Sequence, residues 1–477
     1  MFLISGLFDF AEIWTILTIV YQFLVVLTLV VLIFERREPV VTLAWILVIA
    51  MFPVGGMILY VVLGRNHRRG RRFMGQKLWS EMPCGESAEG APLTPSNSRQ
   101  VQLMCNNSHT PLTLHNRVEV LHNGEECFPR MFGDMARAEH SLHVEFFGIE
   151  SGALFEQMFE VLSERAAAGV EVRVVYDSIG GRLLRRRDLR RLRCAGVDVR
   201  CFMPIFSARF VGLLNYRNHR KIVVIDGKVA YTGGMNIADR YLYGVRGGIL
   251  RDVHLRIEGE AVAKLQRVFA ADWAFVTGGA EISGERYFPP TTIRNLCPMQ
   301  IATSGPDSPY AAIRDALFAA ISKAERYIYI STPYLLPDAA ITTALTIAAQ
   351  SGVEVIILIP VRGDNIAVAW AGFSYVEEFL RAGIRIYLYR RGFVHSKVVV
   401  TDDEFCSIGT TNLDYRSFND DFEVQTFIYD HTHACALRER FLLDLEDAEE
   451  ITPESWATRS RLSKIMEPLA RLFAPIF

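Results

Sequence analysis

The chain has 477 residues, half of them hydrophobic, with 51 basic against 53 acidic side chains. That length implies two globular units plus an appendage, and the near-neutral balance argues against a nucleic-acid binder of the usual strongly basic kind. The eight cysteines are scattered and form no C-x-x-C pair, so neither a zinc ribbon nor a thioredoxin-like redox centre is indicated, and the soluble part is read as lying in a reducing compartment.

The first predicted element is an uncharged apolar run over residues 13–34. As a helix it would be roughly 33 Å long, enough for the hydrocarbon core of a bilayer. Glu35-Arg36-Arg37-Glu38-Pro39 interrupts it, and a second uncharged run follows over 40–63. Asp9 and Glu12 precede the first run in place of a basic n-region, so a retained anchor is favoured over a cleaved signal peptide. Pro53, Gly55 and Gly56 are expected to kink the second run, a pattern a re-entrant hairpin would share. Arg65, Arg68, Arg69, Arg71, Arg72 and Lys77 put the following chain in the cytoplasm by the positive-inside rule. The expected organisation is a transmembrane hairpin over 1–72, a linker over 73–110, rich in Gly, Ser, Pro and Glu between 83 and 98, and two domains over 111–285 and 286–477, the second with a C-terminal helix.

The globular part repeats itself. Ala138-Glu139-His140-Ser141-Leu142-His143-Val144 answers to Ala324-Glu325-Arg326-Tyr327-Ile328-Tyr329-Ile330, and Gly169-Val170-Glu171-Val172 answers to Gly352-Val353-Glu354-Val355. Helical patterning separates such strand-like runs at 154–168 and 183–194 in one copy and at 341–351 and 376–381 in the other. The alternation predicts the α/β class: two domains with pseudo-twofold symmetry, each a mixed, largely parallel sheet flanked by helices.

Each copy closes with the same polar stretch. His219, Lys221, Asp226, Gly233 and Asn236 in the first correspond to His395, Lys397, Asp402, Gly409 and Asn412 in the second, each pair 176 residues apart. On a strand, residues two apart share a face, so His219 and Lys221 point one way and Ile222 and Val224 the other. A buried Lys beside a His has no packing rationale, whereas an imidazole next to a cation suits attack on a phosphodiester. Lys221 and Lys397, with Asn236 and Asn412, would stabilise the phosphate oxygens. One imidazole would attack phosphorus and the other protonate the departing alkoxide. Such an imidazole needs an acceptor on its second nitrogen, for which Asp252 and Glu423 are the candidates. Asp226 and Asp402 fall at turns, out of phase with the lysines, and are expected to brace the motif loops without touching substrate. No metal-ligand spacing is seen, and neither a metal nor another cofactor is expected.

These residues resemble the H-x-K-x4-D-x6-G-[GST]-x-N signature of the phospholipase D superfamily. The resemblance to its bacterial cardiolipin synthase branch covers nearly the whole chain, through Thr42-Leu43-Ala44-Trp45 in the hairpin, Tyr176-Asp177-Ser178-Ile179-Gly180, Tyr216-Arg217-Asn218, Thr332-Pro333-Tyr334, Asn412-Leu413-Asp414-Tyr415-Arg416-Ser417 and Glu467-Pro468-Leu469. It implies a two-pass protein of the bacterial inner membrane that moves a phosphatidyl group between two phosphatidylglycerol molecules, giving cardiolipin and glycerol. A phospholipase D-type hydrolase, or a phosphatidyltransferase with another acceptor, is the alternative. The resemblance further implies His219 as nucleophile, His395 as acid/base, and crossed pairing of His219 with Glu423 and His395 with Asp252; residue types alone leave the two histidines interchangeable. The chain departs from the branch where Ile249-Leu250-Arg251-Asp252-Val253-His254 lacks the usual tryptophan, and where Glu260 and Asp421 replace a proline and an asparagine. The implied partners are membrane phospholipids and an anionic membrane surface, not nucleic acid, with the oligomeric state open. Arg182, Arg185, Arg186, Arg187, Arg190, Arg191 and Arg193 are expected to face lipid headgroups or solvent. Residues 205–214, with Phe206, Phe210, Leu213 and Leu214, read as a lip at the lipid entrance or as core, and 465–477 as a tail that docks on the domain or dips into the interface.

Overall fold

The computed structural model describes residues 10–34, 39–60, 91, 93–204, 216–245 and 248–474. In the N-terminal unit, helix Phe10–Phe34 has 25 residues and is about 37 Å long. Its stretch Trp14–Phe34 has a mean hydropathy of 2.8, long and apolar enough to cross a membrane. The second apolar run is not one helix but two, Pro39–Met51 and Pro53–Leu59. Pro53 has no N–H to continue the ladder and disfavours helical backbone at Phe52, which sits at φ −132°. Leu32, Ile49 and Tyr60 bury against one another, with Trp45 edge-on to Tyr60 at 5.5 Å, and so close a helical hairpin. The connector 35–38, the basic cluster after residue 64 and the apolar stretch 205–214 lie outside the described residues.

The second unit is built on one continuous sheet of 15 strands. From the join outward, the first half runs Thr113–His122, Val253–Gly259, Val229–Gly233, Lys221–Ile225, Ser141–Phe146, Glu171–Asp177 and Asp198–Phe202. The second runs Leu296–Ser304, Glu423–Ile428, Phe405–Gly409, Val398–Thr401, Tyr327–Ser331, Glu354–Pro360 and Arg385–Tyr389, with Ala448–Ile451 on its edge. The two orders correspond strand for strand about the antiparallel join, where Thr113 lies opposite Met299. The α/β repeat is therefore present and the sheet is mixed, but the balance differs from a largely parallel one. Parallel pairing is confined to the outer three strands of each half, which Ala153–Ala167 and Arg186–Cys194, or Ala339–Gln350 and Val376–Arg381, connect as helical crossovers. The motif strands pair antiparallel with their neighbours. Tight turns follow them, with positive φ at Asp226 and Gly227 and at Asp402 and Asp403, and a turn that short can only reverse the chain.

Side chains alternate along the first motif strand. Val223 and Ile225 enter the first half's own core with Leu142 and Val144. Ile222 and Val224 enter a different cluster, shared with Tyr329, Val398 and Val400 of the second half. Each such residue contributes about 1.5–3 kcal/mol of burial, so the two halves are held face to face by the strands that carry the motifs. The expected linker is shorter than 73–110. Pro95–Ser108 is a helix capped by Thr94, and its Val101 and Met104 complete the second half's core beside Ala312 and Ile321. Its polar composition hid it: buried Asn97 and Gln100 donate amide hydrogens to the carbonyls of Glu404 (3.4 Å) and Ala316 (3.1 Å).

Candidate active site

Each histidine is stitched to a strand of the opposite half. The His219 N–H donates to the Phe422 carbonyl at 2.9 Å and that of His395 to the Arg251 carbonyl at 2.7 Å. Gly392–Val394 pairs in parallel with Ile249–Arg251, directly before His395 on one strand and Asp252 on the other. The exchange sets the side-chain pairing. His219 Nδ1 lies 2.9 Å from Glu423 Oε1, and His395 Nδ1 lies 2.7 Å from Asp252 Oδ2, so each imidazole is held by the other half's carboxylate. An Nδ1–H donated to a carboxylate leaves the Nε2 lone pair free to act as nucleophile or base.

Both lysines are buried. Lys221 Nζ donates to the His219 carbonyl at 2.7 Å and lies over the Phe147 ring. Lys397 Nζ donates to the His395 carbonyl and sits 3.0 and 3.3 Å from the two nitrogens of the His395 ring. Asn236 Oδ1 accepts the Gly148 N–H at 3.0 Å, which turns its Nδ2 toward the Tyr241 hydroxyl at 3.4 Å. The Asn412 side-chain oxygen is buried and has no hydrogen-bond partner among the described residues. Asp226 and Asp402 are not brought to the histidines: they stand at the far ends of the motif strands. Asp226 accepts the backbone N–H groups of Glu139, His140 and Ser141, and Asp402 those of Glu325, Arg326 and Tyr327.

Burial dominates the electrostatics. It pushes Lys221 down to about 7, with Lys397 adding and Glu423 opposing, and Lys397 down to about 8. Burial and the Lys397 charge push His395 down to about 4 against the pull of Asp252, and burial likewise lowers His219. Burial works against ionisation of Asp252 and Glu423, but their imidazole partners, the lysines, and hydrogen bonds from the Val253 N–H or the Thr410 hydroxyl outweigh it. The site thus holds neutral imidazoles, ionised carboxylates and lysines poised to take up protons. An incoming phosphodiester anion would raise the proton affinity of both lysines, coupling its binding to their full charge.

A cavity of about 950 Å³ opens beside His395 and Asn236. Motif spacing alone missed several supports of the site. The Tyr241 hydroxyl lies 3.4 Å from His395 Nδ1, Phe147 packs edge-on to His219 at 5.0 Å, and Thr410 donates to Glu423. Buried Arg220 joins the halves by donating to the Glu423 carbonyl at 3.3 Å and pairing with Asp272 at 2.5 Å. The register Gly409-Thr410 against Gly233-Gly234 carried a signal for Thr410; nothing in the spacing marked Tyr241. The fold also gathers Cys297, Asp430 and His433. There the His433 ring donates to Asp430 at 2.5 Å and to the Val118 carbonyl at 3.2 Å, and its pKa, pushed up to about 10 against the burial penalty, describes an ion-paired imidazolium with no lone pair for a metal.

Two facing His–Lys pairs on a duplicated mixed sheet define a protein of the phospholipase D-like class. The comparisons narrow this further. A sequence profile described as "Cardiolipin synthase, PLD-like domain" matches residues 131–273 and 317–445, and one described as "Phospholipase_D-nuclease N-terminal" matches 23–65. The cardiolipin synthase of Geobacillus kaustophilus is 38% identical over 93% of this chain and 90% of its own length. The major cardiolipin synthase ClsA of Bacillus subtilis is 37% identical over 95% and 97%. Among solved structures, the phosphatidylserine synthase of Haemophilus influenzae superposes with a TM-score of 0.57 at 14% identity, over 80% of this chain and 98% of that one, a likeness of fold. The chain belongs to the PLD-like cardiolipin synthase family.

Proposed function

We propose that this protein is a membrane-associated cardiolipin synthase that transfers a phosphatidyl group from one phosphatidylglycerol to the terminal hydroxyl of another. As the phosphodiester anion binds it raises the proton affinity of His395, which takes up a proton on Nε2. His219 Nε2 then attacks the donor phosphorus, the P–O bond to glycerol breaks, and His395 passes that proton to the leaving alkoxide. The released glycerol is replaced by the second lipid. His395, now neutral, takes the acceptor's hydroxyl proton as the new O–P bond forms and the N–P bond of the phosphohistidine breaks. Lys221 and Lys397 balance the charge on the phosphoryl oxygens throughout, and Asn236 and Asn412 offer them amide donors. Asp252 and Glu423 fix the imidazole tautomers, while Asp226 and Asp402 brace the loops. The single observation that carries this reading is the reciprocal pairing of each histidine with the other half's carboxylate, at 2.7 and 2.9 Å, which makes one two-histidine centre from two repeats.

The apolar N-terminal segment supports transfer over hydrolysis, because an enzyme held at the membrane meets lipid hydroxyls at high local concentration. A two-pass hairpin with both globular halves on the cytoplasmic side accords with the basic run that follows residue 64. The C-terminal helix Arg461–Arg471 adds a further support, since it turns its apolar residues outward. Leu462, Ile465, Leu469, Leu472 and Phe473 are 64, 60, 48, 74 and 54% exposed, whereas Glu467 and Ala470 are buried. With Arg461 and Lys464 beside that stripe, the helix suits the interface of an anionic bilayer. The test is thin-layer analysis of labelled phosphatidylglycerol liposomes incubated with the purified full-length protein. Cardiolipin and glycerol are expected in equal amounts; phosphatidic acid in place of cardiolipin would identify a hydrolase and overturn the proposal.

A further inference from the structure

The cavity beside His395 and Asn236 carries more positive charge than one phosphodiester needs. Its wall includes Glu150, Arg182, Arg240, Arg362, Asp364 and Arg390. Four of these six are engaged: Arg240 with Glu150 at 2.6 Å, Asp364 with the Tyr334 hydroxyl at 2.8 Å, and Arg390 with Glu449. Arg182 and Arg362 are exposed and have no ion pair among the described residues. They also come from the equivalent connections of the two halves, Arg182 in the short 3-10 turn Gly180–Leu183 after strand Glu171–Asp177 and Arg362 directly after strand Glu354–Pro360. Arg182 thus parts company with the arginines of helix Arg186–Cys194, where Arg191 is spent on Glu156 and Asp188.

We propose that Arg182 and Arg362 form a second anion subsite, which holds the unreacted phosphate of the accepting lipid while its hydroxyl meets the phosphohistidine. The inference rests on the transferase reading above and adds the acceptor's class. The reacting phosphate is served by Lys221 and Lys397. Water and glycerol, as acceptors, bring no charge of their own. An acceptor whose hydroxyl is joined through a glycerol to its own phosphodiester brings a second anion into the same cavity, and guanidinium groups with free donors suit it. The bonds made and broken are unchanged: acceptor oxygen joins phosphorus, the N–P bond breaks, and the proton passes to His395. The two arginines select which hydroxyl arrives.

The test uses full-length protein in phosphatidylglycerol liposomes with labelled glycerol in the buffer, so that one phospho-enzyme partitions among cardiolipin, labelled phosphatidylglycerol and phosphatidic acid. In the double variant Arg182→Gln/Arg362→Gln the ratio of cardiolipin to labelled phosphatidylglycerol is expected to fall by about tenfold or more, the loss typical of a charge-assisted contact at each site. Lysine at both positions should restore most of the ratio, and Arg187→Gln, outside the cavity wall, should leave it unchanged. Exchange onto glycerol in the same sample reports that the variant is folded. An unchanged ratio in the double Gln variant, or an equal fall in all three products, would overturn the subsite. Wild-type protein that forms phosphatidic acid and no cardiolipin would instead overturn the transferase reading on which the subsite depends.

Discussion

In the first half, Gly234 follows the motif glycine, and a Cβ placed there would lie 2.1 Å from Asp252 Oδ1. In the second half the equivalent residue is Thr410, and its hydroxyl donates to Glu423. The shorter acid is reached by backbone that comes too close for any side chain; the longer one leaves room for a threonine and uses it. Two residues beyond each acid the contrast recurs. Gln425 donates to the Ser407 hydroxyl at 2.8 Å and accepts the Thr411 N–H at 3.3 Å. His254, opposite Gly233 as Gln425 is opposite Gly409, is buried with neither ring nitrogen hydrogen-bonded among the described residues, and burial pushes it down to about 3. The repeats thus agree at the groups that would touch phosphate and diverge behind them. The two histidines are unequal as well: each lysine donates to its own histidine's carbonyl, but Lys397 in addition sits 3.0 and 3.3 Å from the ring nitrogens of His395.

The inequality can be broken at the carboxylates first. Asp252→Asn and Glu423→Gln should each lower the rate by about 10²-fold in initial-rate assays, through loss of the imidazole tautomer. An effect at only one of them would mean that only one half is chemically active. Second, kcat/KM should follow a bell in pH. Its alkaline limb should lie between about 7 and about 8, where Lys221 and Lys397 lose the protons that attract an anion, and its acid limb below the ordinary imidazole value, where the buried His219 takes up a proton on Nε2 and can no longer attack. Because the folded pKa of His395 lies below its unfolded value of about 6.5, its contribution to stability is present above pH 6.5 and lost as pH falls toward about 4. Third, the braces should differ. Asp226 is buried and Asp402 only half-buried, so denaturation should show Asp226→Ala costing about 3 kcal/mol and Asp402→Ala about half that, on the scale of unsatisfied N–H groups. Smallest, Thr410→Val should slow turnover by about tenfold or less, as expected for one lost hydrogen bond, with the loss confined to the His219 side.

Much of the site was legible because the chain contains its own comparison. Two His–Lys–Asn sets 176 residues apart mark the positions that packing does not explain. The crossing of the acids was not legible from spacing, since Asp252 follows His219 by 33 residues and Glu423 follows His395 by 28. Both intervals fit pairing within a half equally well. The crossing arises from the long-range pairing of Gly392–Val394 with Ile249–Arg251, which no local pattern encodes. Pro53 announced the break in the second apolar run. Helix Pro95–Ser108 was hidden because its Asn and Gln residues look like linker and are satisfied only by carbonyls far along the chain. Arg182 shared a composition with its neighbours, and only the fold separates it from them.

The most direct test uses a phosphatidyl ester of p-nitrophenol, whose leaving group needs no proton. With His395→Ala, one equivalent of p-nitrophenolate should be released in a burst and the phosphatidyl group should be recovered on His219 by peptide mapping, while His219→Ala should give no burst. A burst from His219→Ala with the label on His395 would reverse the assigned roles, and a burst followed by full turnover in either single variant would contradict the claim that two halves make one centre.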